Sequence, residues 1–219
     1  MSTVWFTSDL HIGHGLVAAA RGFQCYTGQD GCPSCIAAHD DELARAWDAV
    51  VHTSDKVWVM GDVSVGGREA TAYALNWIAD RPGEKHLVPG NHDPVHPMYR
   101  DSHTWLSAYL QVFASVQPFA RRKVGGRDAL LSHFPYEGDS GPTDRHAQYR
   151  LRDHGLPIIH GHTHRPWRAT TSTPIYTPDY HLGEGASVPP NQFHVGVDAW
   201  DLWPVHIDQL ADLMREVGW

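Results

Sequence analysis

The sequence predicts an α/β fold, and three observations carry that prediction. Short apolar runs recur along the chain and end in Asp, His or Asn, while amphipathic helical patterns lie between them. Of the 219 residues, 42% are hydrophobic and 19% charged, the balance of an ordinary globular protein. That length suits one domain, residues 1–219, and is short for two.

The elements follow in order. Val4-Trp5-Phe6 reads as a buried strand leading to Ser8-Asp9-Leu10-His11. Leu43, Ala46, Trp47, Val50 and Val51 keep the spacing of a helix face. Val57–Met60 is the second strand, ending at Gly61-Asp62. Ala70, Tyr73, Ala74, Trp77 and Ile78 mark another helix, stopped by Arg81-Pro82-Gly83. His86-Leu87-Val88 runs into Gly90-Asn91-His92-Asp93. Phe119–Val124, Ala129–His133 and Phe193–Val197 are late strands with few helices among them, so a second, partly antiparallel sheet is expected. Pro157-Ile158-Ile159 leads to His160-Gly161-His162-Thr163-His164, whose alternating histidines would share one side of a strand. Ile207, Leu210, Ala211 and Met214 mark a last helix, and Gly138–Pro142 and Gly183–Pro190 are loops.

Charge and composition exclude several classes. The net charge of −8 argues against a general nucleic-acid coat protein. The charge is uneven, however: residues 121–168 hold nine Lys/Arg against five acids, which suits an anionic ligand held at one place. No apolar run approaches the roughly 20 residues of a membrane span. The start, Met1-Ser2-Thr3-Val4-Trp5-Phe6, has no basic n-region, and three cysteines make a disulfide framework unexpected. A cytoplasmic protein with no membrane partner is the expectation.

Seventeen histidines are the conspicuous excess. In α/β sheets, ligand chemistry lies beyond the carboxyl ends of the strands. Here five strand ends deliver Asp9, His11, Asp62, Asn91, His92, Asp93, His133, His162 and His164. That is more nitrogen and oxygen than one ion needs and suits two ions sharing a carboxylate, with Asp62 placed to bridge. With no thiolate among them, the donors fit Mn, Fe, Co, Ni or Zn.

The ordered set Asp9-Leu10-His11, Gly61-Asp62, Gly90-Asn91-His92-Asp93, His133 and Gly161-His162-Thr163-His164 resembles the calcineurin-like metallophosphoesterases. The opening Phe6-Thr7-Ser8-Asp9-Leu10-His11-Ile12-Gly13-His14 is similar to small bacterial and phage-type members. The resemblance implies a four-layer αββα sandwich of two mixed sheets flanked by helices. It gives one metal Asp9, His11, Asp62 and His164, and the other Asp62, Asn91, His133 and His162. It implies Mn, or an Fe/Zn pair, with a hydroxide between the ions as nucleophile. It makes His92 the group that protonates or stabilises the leaving oxygen, oriented by Asp93.

After Gly61-Asp62 the chain reads Val63-Ser64-Val65-Gly66-Gly67, without the arginine that protein phosphatases of this family place there. A small phosphodiester is therefore expected, such as a 2′,3′-cyclic nucleotide or an RNA-end phosphate, and no large duplex. A phosphomonoesterase on a nucleotide or sugar phosphate is the alternative within enzymes, and a non-catalytic metal-binding scaffold the alternative outside them. His14, Arg145 and Arg165 are candidate substrate contacts, with Trp167 as a ring for a base. Cys25, Cys32, Cys35 and His39, in an expected loop insertion over residues 22–39, have the spacing of an additional structural zinc site. Inert thiols or a Cys32–Cys35 redox pair are the alternatives.

Overall fold

A computed structural model describes residues 2–24, 32–172 and 189–219. Among these residues, ten strands form two mixed five-stranded sheets: β1 (Val4–Thr7), β2 (Lys56–Val59), β3 (Glu84–Leu87), β4 (Ser115–Val116), β5 (Ala120–Val124), β6 (Arg127–Leu131), β7 (Ile158–His160), β8 (Ala169–Thr170), β9 (Gln192–His194) and β10 (Val205–His206). The first sheet has the order β10-β1-β2-β3-β4, parallel from β1 to β4 with β10 antiparallel on the edge. The second has the order β5-β6-β7-β9-β8, parallel in the middle and antiparallel at both edges. The helices are α1 (Gly15–Ala20), α2 (Pro33–Val50), α3 (Arg68–Ala79), α4 (Leu106–Tyr109) and α5 (Ile207–Glu216).

Strand alternation divides the core in two. On β2, Trp58 faces the second sheet and packs with Phe6, Leu131, Ile159 and Phe193. Its neighbours Val57 and Val59 face the opposite way, against Leu43 and Trp47 of α2 and Ala74 and Ile78 of α3. Leu210, Ala211 and Met214 bring α5 into the inter-sheet core. The helix face of α3 is rotated from the sequence expectation. Thr71, Ala74, Leu75 and Ile78 are buried, whereas Tyr73 is 49% exposed. The tyrosine ring is thus half-exposed while its hydroxyl donates to the buried Asp40, at 3.2 Å.

The expected loop over 22–39 needs a similar correction, since the chain is helical from Pro33, with Cys32 as the N-cap of α2. Pro at the first helical position and a cap that accepts from the Cys35 N–H start that helix early. Cys25 and most of the Gly183–Pro190 loop lie outside the described residues.

The two sheets meet at one end. Ser8, just past β1, bridges in parallel to Gly196, just past β9, and the Val197 N–H donates to the Ser8 carbonyl at 3.2 Å. The strand ends of both sheets therefore open onto the same space.

Candidate metal centre

Each strand end turns sharply to present its polar residue. Among the described residues, eight that are not glycine have positive φ, and five of them are Asp9, His11, Asp62, His162 and His164. Such backbone costs about 1–3 kcal/mol per residue and concentrates at functional sites. The motif glycines admit close approach. A Cβ on Gly90 would lie 2.2 Å from Asp62 Oδ1, and one on Gly161 1.9 Å from Ser8 Oγ.

Main-chain bonds lock the turns together. The Asp9 and His11 N–H groups donate to the Gly61 and Asp62 carbonyls, both at 3.0 Å. The His162 N–H donates to the Asp9 carboxylate at 3.0 Å, joining the two sheets through a side chain. The His92 N–H donates to Asp62 Oδ1 at 2.8 Å.

Two groups of donors result. Asp9, His11 and His164 form one, and Asp62, His133 and His162 the other, with the ligand atoms of each within 4.8 Å of one another. Asp62 Oδ2 lies between them, 3.7 Å from His11 Nε2 and 3.5 Å from His133 Nε2. Asn91 Oδ1 is 3.2 Å from His133 Nε2 on the second group's side. His133 donates Nδ1–H to the Met60 carbonyl at 2.7 Å, which leaves its Nε2 lone pair facing the site.

Electrostatics prepare these side chains for cations. Burial, with His164 nearby, holds His11 well below its ordinary value, and burial with His133 pushes His162 down to about 3. Both are neutral at pH 7 and keep the lone pair a metal needs. Burial works against the charge of Asp9, yet His194, His164 and His133 hold its carboxyl well below the usual range. The donor set, the strained turns and the central position of Asp62 fit two divalent ions.

The calcineurin-like phosphoesterase family model matches residues 2–166, which is three quarters of the chain. The chain belongs to that family. It is 43% identical to the Gene 66 protein of Mycobacterium phage L5, over 99% of this chain and 96% of that one. To the Gene 66 protein of Mycobacterium phage D29 it is 42% identical, over 99% and 98%. A protein of unknown function from Aquifex aeolicus has a similar fold, with TM-score 0.62, 18% identity, and coverage of 97% of this chain and 100% of that one.

Several side chains make contacts that differ from their expected roles. Asp93 does not orient His92. Its fully buried carboxylate accepts from the backbone N–H groups of Gly90, Asp62 and Val63, at 2.7, 2.8 and 3.1 Å, and so ties two ligand turns together. Burial and the neighbouring Asp62 raise its pKa to about 6. His92 instead donates Nδ1–H to the Val65 carbonyl at 3.2 Å, with its ring 5.1 Å from that of His11. The histidines 160, 162 and 164 do not share one strand side, because β7 ends at His160 and positive φ at the other two re-aims them. His160 stacks on His194 in the interior, with ring centroids 5.3 Å apart.

His39 leaves the zinc set. It is fully buried, with Nε2 accepting from Arg21 at 3.0 Å and Nδ1 against Asp40 at 2.9 Å, so both ring nitrogens are engaged. Of the substrate candidates, His14 is half-buried with its ring 5.4 Å from that of His11. The Arg145 guanidinium is turned onto the buried Asp139, at 2.7 Å. Arg165 sits over the exposed Trp167 ring, 5.8 Å from its centroid. Those two residues line a cavity of about 450 Å³ with Asp139, His160, Thr163 and Gln192.

Two site carboxylates escaped the sequence reading. Asp139 lies 3.1 Å from His162 Nε2, and nothing in its loop context marks it. Asp198 accepts from His164 Nδ1 at 2.8 Å. It follows the strand run Phe193–Val197, so the strand-end rule that found the other residues applies to it as well.

Proposed function

We propose that this protein hydrolyses small phosphodiesters, with a 2′,3′-cyclic nucleotide or an RNA-end phosphate as the substrate class. The pairing of Arg145 and Arg150 carries that reading. A monoester brings close to two negative charges and a diester one, so a monoester pocket needs free guanidinium groups beside the metals. After Asp62 the chain places Val63 and Ser64, both fully buried, and no cation. Arg145 is matched by Asp139, and Arg150 is matched by Asp139 and Asp144. The cavity beneath Arg165 and Trp167 adjoins Asp139 and has room for a nucleobase.

Two divalent ions, when bound, supply Lewis acidity and an activated water. Mn suits these ligands, as do an Fe/Zn pair, Ni or Co. The protein's own part is orientation and proton delivery. Asp9, His11 and His164 would hold one ion, and Asn91, His133 and His162 the other, with Asp62 between them. His92, its Nδ1–H held by the Val65 carbonyl, has Nε2 as the nitrogen that delivers a proton to the leaving oxygen.

The test is turnover by metal-stripped protein reloaded with Mn, Zn, Ni or Mg singly, on matched nitrophenyl diester and monoester and on 2′,3′-cyclic nucleotides. A higher kcat/KM for the diester is expected, with cleavage of the cyclic nucleotides. A monoester preference under every metal would overturn the reading.

A further inference from the structure

Behind the first donor group lies a buried polar strap. Arg21, the C-cap of α1, has a side chain only 5% exposed. Its Nη2 donates to the Asp9 carbonyl at 2.7 Å and its Nη1 to the Leu10 carbonyl at 3.2 Å, gripping the turn that carries Asp9 and His11. Its Nε and Nη2 form a two-pronged pair with Asp198, at 2.8 and 2.9 Å. Asp198 in turn receives His164 Nδ1 at 2.8 Å. One guanidinium thus grips the Asp9–His11 turn of the first sheet directly and reaches His164 of the second sheet through Asp198.

The polarity of the strap is fixed. Arg21 can only donate, so His39 Nε2 must accept and His39 Nδ1–H must point to Asp40. Asp40 also accepts from the Gly13 N–H at 3.0 Å and from the Tyr73 hydroxyl, which anchors the far end. At the near end, a carboxylate accepting from Nδ1 sets the His164 tautomer with its proton on Nδ1 and its lone pair on Nε2. That Nε2 is 3.2 Å from His11 Nε2 and 3.9 Å from Asp9 Oδ1.

We propose that Arg21 and Asp198 are positioning residues for one metal position only, the one offered by Asp9, His11 and His164. The proposal rests on the metal reading above and is independent of the substrate. Apart from the His162 N–H bond to Asp9 and the His11 N–H bond to the Asp62 carbonyl, the residues Asp62, His133 and His162 draw their local support elsewhere, from Asp93, Met60 and Asp139. Loss of a partner that orients a metal-binding histidine weakens metal affinity by about 10- to 100-fold, so the two positions should separate.

The experiment loads metal-free Asp198→Asn with Mn under graded chelator and follows stoichiometry and the Mn electron paramagnetic resonance spectrum. The parent should bind two ions and give the signal of a coupled pair. The variant should hold one ion at parental affinity and the other about 10- to 100-fold more weakly, giving an isolated-ion signal at intermediate loading. Arg21→Lys keeps the charge but cannot span the Asp9 carbonyl and both Asp198 oxygens, so it should weaken the same ion. It also carries the test if Asp198→Asn fails to fold. Equal weakening of both ions, or of neither, in a folded variant would overturn the proposal. A parent that binds fewer than two ions would instead overturn the metal reading on which it rests.

Discussion

Gly161→Ala should damage the site and the fold together, by an amount that follows from local geometry. The new Cβ would meet Ser8 Oγ at 1.9 Å, Asp9 Oδ2 at 2.6 Å and Ser8 Cβ at 2.8 Å. None of these atoms belongs to a side chain free to swing away. Ser8 is fully buried and donates to the Met60 carbonyl at 2.9 Å, and Asp9 is held by the His162 N–H. Reaching an ordinary contact of about 3.4 Å requires Ser8 Oγ to retreat by about 1.5 Å, which breaks its bond and orphans a buried hydroxyl at a cost of about 1–3 kcal/mol. Overpacking adds about 1–3 kcal/mol, so the total loss is about 2–6 kcal/mol. Asp9 Oδ2 must also move by nearly 1 Å, a displacement that in active sites costs on the order of 10²-fold. Urea unfolding of the metal-free protein measures the first effect, and turnover together with metal content after chelator challenge the second. Adding Ser8→Ala removes the nearest clash and should restore part of the stability, but the carboxylate stays displaced and the metal loss should persist. A single variant within 1 kcal/mol of the parent that still holds two ions would refute the reasoning.

Three further outcomes are expected. Asp62→Ala should lose both ions and all turnover, whereas Asn91→Ala should weaken mainly the ion beside His133; elemental analysis finding two ions per chain in the Asp62 variant would count against a bridging role. His92→Ala should keep both ions yet lower kcat by about 10²–10⁴-fold, with a smaller loss for nitrophenolate, a leaving group that needs no proton; equal losses for good and poor leaving groups would contradict proton delivery by His92. Asp55 precedes β2, at the strand end opposite Asp62, and although burial opposes its charge, the His52 and Thr3 N–H groups and the Trp5 indole hold its carboxyl below the usual range. Its stabilisation is therefore present above the unfolded value of about 3.9 and is lost as pH falls through the lower folded value. Asp55→Asn should cost about 1–3 kcal/mol at neutral pH and flatten the acid limb of a urea-unfolding profile, and an unchanged acid slope would argue against this account.

The strands that carry the site were legible because each couples an apolar run to a polar terminus. Val4–Thr7 and Lys56–Val59 differ from the expected runs by only a residue or so at their ends. The two-residue strands β4, β8 and β10 were not legible, since their pairing depends on neighbours distant in sequence. Donors named from strand ends converge, but orientation was harder to read. Periodicity put His160 with His162 and His164, and only backbone handedness separates them. Spacing placed His39 with the cysteines, although its partners are Arg21 and Asp40, one of them 18 residues away. The resemblance implies that Asp93 orients His92, while its three partners are main-chain N–H groups invisible to any motif.

The parallel bridge between Ser8 and Gly196 bears on how the chain acquires its chemistry. Asp9, His11 and Asp62 lie beyond strands of one sheet, and His133, His162 and His164 beyond strands of the other. Among the described residues, neither sheet carries both donor groups complete, so an ion arriving during synthesis would find no finished cage there to seed assembly. Capture would then wait until the two halves have docked at that seam. From then on the ions would act as a clasp across it, and anything that binds only the docked form lowers the chance that the halves part again. Withdrawal of metal should accordingly be felt first as an opening between the sheets at this end, with the strands themselves still paired.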